Sequence, residues 1–383
     1  MVTVTEYLPS FETFHQELGY NPSSSLFFDI ETTGFSPSSS VVFLIGALRF
    51  SEGSWILTQF LSENPQEEKT ILDAFLSLAS GYDTLVHFNG STFDLPYIAK
   101  KAAQHHTVHT LEKFGTLDLY QSFRSLGKRL GLSRMNQRAI ESFLGWERED
   151  KLTGKDMVSL YPKFAACGEP RIRDLLLLHN HDDMIGMTKL LQLGAYTKLF
   201  HGDILRINSA CCVPPSCGIS TESHRAQQNT PQACLSIEFT LKDTLPAPLY
   251  IDTFDAQENN GLEFPFILSA KKDCAVLSIP FVCGILCYFF PDWKNYYYLP
   301  LEDQAIHKSI AGYVDSAYRT PAKASNCYIK KESVFLPQPD GLFTPSFRHS
   351  FSEKNTYFEF TDSFLSDNEK LFSYLQAVLR HIA

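Results

Sequence analysis

Three apolar, β-favouring segments follow one another near the start of the chain, separated only by short turn-rich stretches. They read SLFFDIE, VVFLIGALRF and WILTQFLS and begin at Ser25, Val41 and Trp55. Their lengths and their content of β-branched and aromatic residues are typical of strands. We therefore expect three consecutive strands joined by short loops, and this expectation limits the folds that the first half of the chain can adopt.

A helix with both ends marked comes next. The segment NPQEEKTILDAFLSLASG at 64–81 has an Asn cap, a Pro in the first helical position, early acids and a final Gly. A further strand, DTLVHFN, and a helix within STFDLPYIAKKAAQHH follow, and three later segments are also helical in pattern: 117–131, 136–146 and 171–196. Three strands followed by helix, strand and helix predict an α/β domain whose mixed central sheet is flanked by helices.

The sequence changes in character after about residue 205. The segment INSACCVPPSCGISTESHRAQQNTPQA is polar and rich in turn residues, and short β-like runs at near-regular spacing come after it. Two further segments, 302–318 and 368–382, have the pattern of helices. We therefore divide the chain into an α/β domain at 1–203, a linker or long loop at 204–233, and a β-rich α+β domain at 234–383.

Composition restricts the class of protein. The 383 residues carry a net charge of −10, which argues against a surface coated with basic residues for nonspecific binding of nucleic acid. The N-terminus lacks the features of a signal peptide, and the most apolar stretch, 276–290, is shorter than a membrane span and contains Pro and Gly. These features predict a cytoplasmic protein without a membrane segment, whose nine cysteines are reduced.

Two acids stand where the first apolar strand ends. Asp29 and Glu31 are two residues apart, so on a strand they point to the same face while Ile30 points to the other. Like charges held this close raise each other's pKa unless a cation lies between them, and hard divalent cations prefer oxygen ligands. The pattern therefore indicates either a metal site or a solvated strand end.

Two further segments carry acids in positions that invite the same question. Asp94 lies just after the strand LVHFN, near the start of a helix, where a carboxylate is also a common cap. His179 and Asp183 are four residues apart and share one face of a helix that is otherwise rich in leucine. Asp182 is turned about 100° away from Asp183 around that helix, so we expect it to point elsewhere.

Together these segments resemble the three motifs of the DEDD superfamily of 3′–5′ exonucleases, which have an RNase H-like fold. The motifs are Asp29-x-Glu31 within DIETTG, Asn89-x-x-x-Phe93-Asp94, and His179-x-x-x-Asp183. The resemblance covers residues 24–200 and is most specific to the bacterial stand-alone RNase H-like predicted exonucleases. The segment LGWERED at 144–150, with Gly154 and Tyr161, is also similar to that group.

The resemblance implies a two-metal hydrolysis of phosphodiester bonds in single-stranded RNA or DNA, with two Mg²⁺ or Mn²⁺ ions as cofactors. Asp29 would bridge both ions, Glu31 and Asp183 would hold the water-bearing ion, and Asp94 would hold the second. His179 would orient or deprotonate the attacking water. It stands at the spacing of the superfamily's tyrosine branch, not its histidine branch, while Asn180 fits the bacterial subgroup.

Several residues have a substrate-binding and a purely structural interpretation. Thr32, Thr33 and Gly34 offer backbone amides to a terminal nucleotide or simply form a strand exit, and Asn89 contacts a phosphate or shapes its turn. The densest basic run, from which we assign Arg134 and Arg138 to substrate, is also consistent with a solvated helix face: Arg124, Lys128, Arg129, Arg134 and Arg138. Asp118 is expected to cap a helix.

Other polar clusters suggest alternatives. A zinc site is one interpretation of Cys211, Cys212, Cys217, His224 and Cys234, although paired C-x₂₋₄-C units are missing. His307 is expected on an amphipathic helix, packed or at the surface. The tyrosine-rich segment YYYLPLED could stack on bases, bind a protein partner or belong to a sheet. The rival to a nuclease is a nucleic-acid-binding protein that keeps the fold with weak or no catalysis.

Overall fold

The computed structural model describes residues 1–8, 21–108, 111–214, 233–253 and 264–382. The chain divides into two compact units, Met1–Thr197 and Lys198–Ala383. No helix among the described residues is both long enough and apolar enough to cross a membrane.

Among its described residues, the first unit contains six strands and seven α-helices, and an eighth α-helix extends past its end. The strands are β1 (Val2–Leu8), β2 (Ser25–Thr32), β3 (Val42–Ser51), β4 (Ser54–Leu61), β5 (Thr84–His87) and β6 (Gly115–Asp118). The helices are α1 (Glu68–Ala79), α2 (Asp94–Gln104), α3 (Leu119–Phe123), α4 (Leu126–Arg129), α5 (Gln137–Phe143), α6 (Gly154–Cys167), α7 (Pro170–Leu190) and α8 (Gly194–Phe200).

All six strands belong to one mixed sheet in the order β1-β4-β3-β2-β5-β6. The meander from β2 to β4 is antiparallel, as short loops require, and β1 adds to it at the edge beside β4. Strands β5 and β6 run parallel to β2, and the connection from β4 to β5 contains α1. The predicted α/β layer with a mixed sheet is confirmed.

Side-chain alternation along β2 separates a core face from a polar face. Leu26, Phe28 and Ile30 are buried in a cluster formed with apolar residues of α1 and α2. Because successive side chains of a strand point to opposite faces, Asp29 and Glu31 lie on the other face, where α7 packs against β2 and β3. Both acids of the strand thus lie beneath a helix, with Glu31 buried and Asp29 partly exposed.

A glycine permits the close approach of α7 to the sheet. A Cβ atom on Gly46 of β3 would lie 2.3 Å from Asn180 Oδ1 and 2.8 Å from Met184 Cγ, both on α7. Separations this short are not tolerated between non-bonded heavy atoms. The absence of a side chain at position 46 therefore allows the polar residues of α7 to reach the acids of β2.

The first unit contains some elements that the sequence patterns do not predict. Strand β1 and helix α6 are additions, and the helix expected at 117–131 is two short helices, α3 and α4. Asp118 caps α3 by accepting hydrogen bonds from the amides of Tyr120 and Gln121, as expected. Gly131, with a φ of 68°, follows the second helix, where a left-handed residue commonly ends a helix.

The second unit is rich in strands, as predicted. Its strands are β7 (Ile204–Val213), β8 (Cys234–Leu241), β9 (Leu249–Asp252), β10 (Ile267–Lys271), β11 (Cys274–Pro280), β12 (Val282–Phe289), β13 (Tyr296–Leu299), β14 (Gln304–His307), β15 (Thr320–Pro321), β16 (Tyr328–Gln338) and β17 (Thr356–Glu359). Two helices, α9 (Asp362–Ser366) and α10 (Asn368–His381), follow. The strands form three antiparallel sheets: β7-β8-β11-β10-β9, β12-β16-β17 and β14-β13-β15.

Two local predictions for this half of the chain are wrong. Residues 204–213, which the sequence pattern assigns to a linker, form the strand β7. This polar segment is a strand because its backbone pairs antiparallel with β8. The helix expected at 302–318 is absent, because Gln304–His307 pairs with β13 and two single 3₁₀ turns follow. His307 is therefore an exposed strand residue whose Nδ1 lies 2.6 Å from Ser309 Oγ, not a helix residue. The rest of the expected linker, 215–232, lies outside the described residues.

Candidate active site

Strand β2 places Asp29 and Glu31 beneath α7. Asn180 of α7 donates a hydrogen bond from Nδ2 to Asp29 Oδ2 at 3.1 Å, and its Oδ1 accepts one from Gln59 of β4 at 3.0 Å. Asn180 is fully buried, so both ends of its amide are used inside the protein. This residue fixes the orientation of the Asp29 carboxylate.

Asp94 is the first residue of α2, a segment separate from both β2 and α7. Its carboxylate is buried and accepts hydrogen bonds from backbone amides, including that of Ile30 on β2. The turn before it holds Gly90, where a Cβ would lie 3.0 Å from Asp94 Oδ2 and 2.8 Å from the ring of His87. The turn and the helix start together bring Asp94 to the end of β2.

His179 and Asp183 share one face of α7, as their spacing predicts. His179 Nε2 lies 3.5 Å from Asp183 Oδ2 and also 3.5 Å from Glu31 Oε1. His179 is only 5% exposed, so its ring nitrogen is directed into the protein and not into solvent. The structure thus brings five predicted residues together, and the four carboxylates among them are here called the acidic cluster: Asp29, Glu31, Asp94 and Asp183.

Asp182 points away from this cluster, as expected from its position on the helix. Its Oδ2 accepts a hydrogen bond from the amide of Asp150 at 2.9 Å, and its Oδ1 lies 3.1 Å from His181 Nδ1. Asp182 therefore holds the loop that carries Asp150 against α7.

Arg148 pairs with one member of the acidic cluster. Its Nη1 lies 2.7 Å from Asp183 Oδ1, while its Nε and Nη2 donate to the two carboxylate oxygens of Glu141 at 2.6 and 2.8 Å. Burial lowers the pKa of this guanidinium, but the hydrogen bond to Glu141 and the charges of Asp183 and Glu141 raise the pKa above its ordinary value overall. Arg148 is therefore a permanent cation at the edge of the cluster.

Asp150 holds the other side of the His179 ring. Its Oδ2 lies 2.7 Å from His179 Nδ1 and accepts a hydrogen bond from Arg138 Nη2, also at 2.7 Å. Its Oδ1 accepts from the amide of Leu152 at 2.8 Å. Asp150 is 3% exposed and fully engaged, so it fixes the orientation of the imidazole.

The acidic cluster carries more negative charge than its surroundings neutralise. Burial, followed by the charges of Asp183 and Asp94, raises the pKa of Asp29 well above its ordinary value. Burial and then the charge of Asp29 do the same for Glu31. Burial, with smaller contributions from Asp118 and Asp183, raises the pKa of Asp94 to about 7 even though backbone amides donate to it. Such a set of groups is stabilised in its ionised form by a bound cation.

The donor set fits a divalent cation. Glu31, His179 and Asp183 each direct one atom to a common region, where the three atoms lie within 4.8 Å of one another. Asp29 and Asp94 add two carboxylates close to them. Among the described residues this is the only group of three or more such side chains with that geometry.

The neighbouring strand exit is held by internal hydrogen bonds. The Thr33 amide donates to Val41 O at 2.9 Å, so this amide is occupied within the protein. Thr32 Oγ1 donates to Gly34 O at 3.0 Å. Asn89 is exposed at a φ of 59°, and its amide donates to Asp118 Oδ1 at 2.9 Å. Asp118 thus caps α3 and shapes the Asn89 turn at once.

The arginines assigned to substrate occupy different surroundings. Arg134 is exposed, and among the described residues its side chain makes no hydrogen bond or ion pair. Arg138 instead contacts Asp150 and the backbone oxygen of Leu152. Arg124 and Lys128 are exposed as well, whereas Arg129 is partly buried.

The zinc hypothesis has a limited structural counterpart. Cys211 and Cys212 are exposed on β7, and Cys234 is buried at the start of β8. Cys217 and His224 lie outside the described residues, so the proposed set cannot be assembled from the part of the chain that the structure describes.

Sequence analysis missed the three residues that surround His179 and Asp183. Arg148 and Asp150 lie in the segment LGWERED that supported the family resemblance, and Glu141 lies just before it, but no role followed for any of the three. The pattern Glu141-x₆-Arg148-x-Asp150 after an apolar helix is a weak indication of buried charge. Asp150 is 29 positions from His179, and Arg148 pairs with Asp183 on α7, so spacing alone cannot identify these pairs.

Comparisons with known proteins agree with this architecture. Residues 26–194 match the family model described as the RNase_H superfamily, so the predicted RNase H-like fold is confirmed for this part of the chain. No curated protein sequence matches the chain.

Solved structures offer distant likenesses. The family B DNA polymerase of the hyperthermophilic archaeon Pyrobaculum calidifontis is similar with 16% sequence identity and a TM-score of 0.36, over 46% of this chain and 25% of that one. E. coli Exonuclease I, in complex with a dT13 oligonucleotide, is similar with 12% identity and a TM-score of 0.31, over 56% of this chain and 54% of that one. The chain thus spans a quarter of the polymerase and about half of Exonuclease I.

Proposed function

We propose that this chain, whose residues 26–194 form an RNase H-like domain, is a divalent-metal-dependent 3′–5′ exonuclease acting on single-stranded nucleic acid. One observation supports the proposal above all others. Four carboxylates from β2, the start of α2 and the middle of α7 converge beside a buried imidazole, although these three segments are far apart in sequence. Convergence of unneutralised acids in a folded domain is costly unless they bind a cation.

Each carboxylate has a specific task in this proposal. Asp29, Glu31, Asp94 and Asp183 would hold two divalent cations, Mg²⁺ or Mn²⁺. When bound, such cations supply an activated water and relieve negative charge on the phosphoryl group. Asn180 orients Asp29 through the hydrogen bond at 3.1 Å, so that the second oxygen of Asp29 remains available.

His179 contributes a nitrogen at the edge of the acidic cluster. The resemblance assigns it to the attacking water, and its Nε2 lies between Glu31 and Asp183 at 3.5 Å from each. Asp150 holds the ring by the opposite nitrogen, which fixes the direction of Nε2. A buried and oriented imidazole can act on water or bind a cation, and both roles require this orientation.

Substrate contacts are proposed for residues around the cluster. The exposed Asn89 turn lies directly before Asp94, and the strand exit at Thr32, Thr33 and Gly34 directly follows Glu31. The Thr33 amide already donates to Val41 O, so it is not among the proposed contacts. Arg134 is exposed and has no partner among the described residues, so its guanidinium is proposed to bind a phosphate group. A role for the second unit in holding a protein partner belongs to the proposal as well.

A second candidate function rests on the Arg148 side chain. Its guanidinium already pairs with Asp183, which is one of the four carboxylates expected to bind metal. A domain in which Arg148 permanently replaced a cation would bind nucleic acid with weak or no cleavage. The first candidate predicts both metal binding and cleavage, whereas the second predicts no metal binding and weak or no cleavage.

The decisive test is a cleavage assay on 5′-labelled single-stranded RNA and DNA with Mg²⁺, Mn²⁺ or EDTA. We expect a metal-dependent ladder that shortens from the 3′ end and disappears in Asp29→Asn. Asp174→Asn is the matched control, because Asp174 is an exposed residue of α7 whose ion pair is with its neighbour Arg173. Binding of the single strands without metal binding and without cleavage would favour the second candidate, and cleavage retained in Asp29→Asn would refute the proposed site.

A further inference from the structure

The imidazole of His179 is arranged differently from a surface histidine. Its Nε2 lies 3.5 Å from Glu31 Oε1 and 3.5 Å from Asp183 Oδ2, and it makes no hydrogen bond to a described residue. The ring is almost completely buried, so Nε2 faces two carboxylates inside the acidic cluster. A nitrogen in this place either interacts with the two acids alone or shares a third atom with them.

One contact, supported by two others behind it, fixes the other ring nitrogen. Asp150 Oδ2 lies 2.7 Å from His179 Nδ1, and Asp150 is itself held by Arg138 and by the amide of Leu152. The loop that carries Asp150 is tied to α7 through Asp182. When the Nδ1–H group donates a hydrogen bond to such a carboxylate, the ring is neutral and Nε2 carries the lone pair. Nε2 is then the atom that can bind a cation.

The distances fit a shared cation. Oxygen and nitrogen ligands lie roughly 2.1 Å from a divalent ion of this size, so two ligands of one ion are at most roughly 4.2 Å apart. His179 Nε2 satisfies this limit with Glu31 and with Asp183. All three atoms lie within 4.8 Å of one another. Small side-chain movements are enough to bring every pair within the limit for ligands of one ion.

Arg148 prepares the same arrangement from the opposite side. It binds Asp183 through Oδ1 at 2.7 Å, whereas the oxygen nearer to His179 is Oδ2. One oxygen of Asp183 is therefore held by an arginine and the other is directed to His179. In metal sites, hydrogen-bond partners orient the ligand carboxylates in the same way.

We propose that His179 is a nitrogen ligand to a divalent cation, which it shares with Glu31 and Asp183, and that Asp150 is the positioning residue of this ligand. The inference rests on the proposed function only in taking the acidic cluster as the cation site. Imidazole favours first-row transition ions, whereas Mg²⁺ favours an all-oxygen set. This centre therefore binds Mn²⁺ in preference to Mg²⁺.

The test uses pulsed electron paramagnetic resonance on the full chain with substoichiometric Mn²⁺. We expect a ¹⁴N coupling of a directly bound imidazole, and its replacement by a ¹⁵N coupling when the histidines alone are ¹⁵N-labelled. His179→Asp restores an all-oxygen set, so it should still bind Mn²⁺, lose the nitrogen coupling and shift the Mn²⁺ to Mg²⁺ affinity ratio at least tenfold towards Mg²⁺. His106→Asn, at an exposed histidine of the same unit, is the matched control and keeps the coupling.

Asp150→Asn tests the positioning role separately. Loss of the carboxylate behind a ligand histidine typically weakens metal affinity about 10- to 100-fold. We expect this weakening for Mn²⁺ together with an altered nitrogen coupling, whereas a merely structural effect would leave the spectrum of the bound ion unchanged. The labelling experiment on the wild-type chain needs no variant, so the test remains valid if a substituted chain fails to fold.

The outcomes separate this inference from the proposed function. Mn²⁺ bound without nitrogen coupling, or an unchanged metal preference in His179→Asp, would overturn the ligand assignment even if the chain cleaves nucleic acid. Nitrogen coupling without nuclease activity would support the ligand assignment and refute the proposed exonuclease. Absence of Mn²⁺ binding would overturn both.

Discussion

Arg148 Nη1 lies 2.7 Å from Asp183 Oδ1, so a permanent cation contacts a carboxylate that is expected to bind metal. The same guanidinium makes a two-point contact with the buried Glu141. One arginine thus compensates two acids, while Asp29 and Glu31 retain raised pKa values because of their burial and their charged neighbours. The arrangement partly neutralises the acidic cluster without filling it.

Replacing Arg148 with Met should strongly destabilise the metal-free protein. Glu141 is 1% exposed, and removal of one partner from a buried ion pair typically costs about 3–5 kcal/mol. Urea unfolding in EDTA measures the loss, and added Mn²⁺ should raise the unfolding midpoint more in Arg148→Met than in the wild type. Lys69→Met, which removes an exposed ion pair with Asp73, is the control. Equal losses in the two variants would show that Arg148 has no special role.

Gly46→Ala should disturb the site from the neighbouring strand, because Gly46 pairs with Asp29 and faces α7. The new Cβ would lie 2.3 Å from Asn180 Oδ1, so α7 must shift or Asn180 must release Asp29. Overpacking of this kind costs about 1–3 kcal/mol, and we expect weaker Mn²⁺ binding in calorimetry as well. Gly154→Ala is the control, because nothing lies within 4 Å of its Cβ position. Unchanged metal affinity in Gly46→Ala would argue against a coupling through Asn180.

Arg134 and Arg138 should respond differently to substitution. Arg134 is exposed and unpaired among the described residues, so Arg134→Ala should reduce the salt slope of single-strand binding by roughly 0.7. Arg138 contacts Asp150, so Arg138→Ala should leave that slope unchanged and lower kcat through the His179 ring. Binding titrations at several salt concentrations, with single-turnover rates, distinguish these effects. A reduced slope in Arg138→Ala would instead support the substrate contact that the sequence predicts.

His87 should make stability sensitive to mild acid. Burial lowers the pKa of His87, with Asp118 opposing, and Nδ1 accepts a hydrogen bond from the Gly90 amide at 3.0 Å. The unfolded chain binds a proton as the pH falls below about 6.5, while the folded chain resists it. The contribution of His87 to the free energy of unfolding therefore decreases as the pH falls from 6.5 through the lowered folded-state pKa, by at most about 1.4 kcal/mol per pH unit. Three carboxyl groups with raised pKa values contribute in the opposite direction: Asp29, Glu31 and Asp94.

His87→Gln removes this titrating group, so we expect the free energy of unfolding of the variant to fall less, or to rise more, than that of the wild type as the pH falls from 7 to 5. Urea unfolding at several pH values provides the comparison. His106→Asn replaces an exposed histidine in the same unit and should keep the wild-type slope. An equal slope in His87→Gln and the wild type would show that His87 is not the responsible group.

Local patterns in the sequence predicted most of the first unit. The alternation in FFDIE placed Phe28 and Ile30 in the core and Asp29 and Glu31 on the opposite face, because strand geometry is a property of the backbone itself. The four-residue spacing of His179 and Asp183 likewise gave one helix face. These relationships depend on the covalent chain, so any correct assignment of strand or helix reveals them.

Only the tertiary structure decided which distant groups meet. Asn180 reaches Asp29 across 151 positions, and Asp150 reaches His179 across 29. The same limitation explains the errors at 204–213 and 304–307, where pairing with β8 and with β13 determines the strand. Sequence determined the chemistry of the acids and the faces on which they lie, because these are local. Packing of α7 and of the Arg148 loop against the sheet determined how the acids are oriented and compensated, because such contacts arise only when the chain is folded.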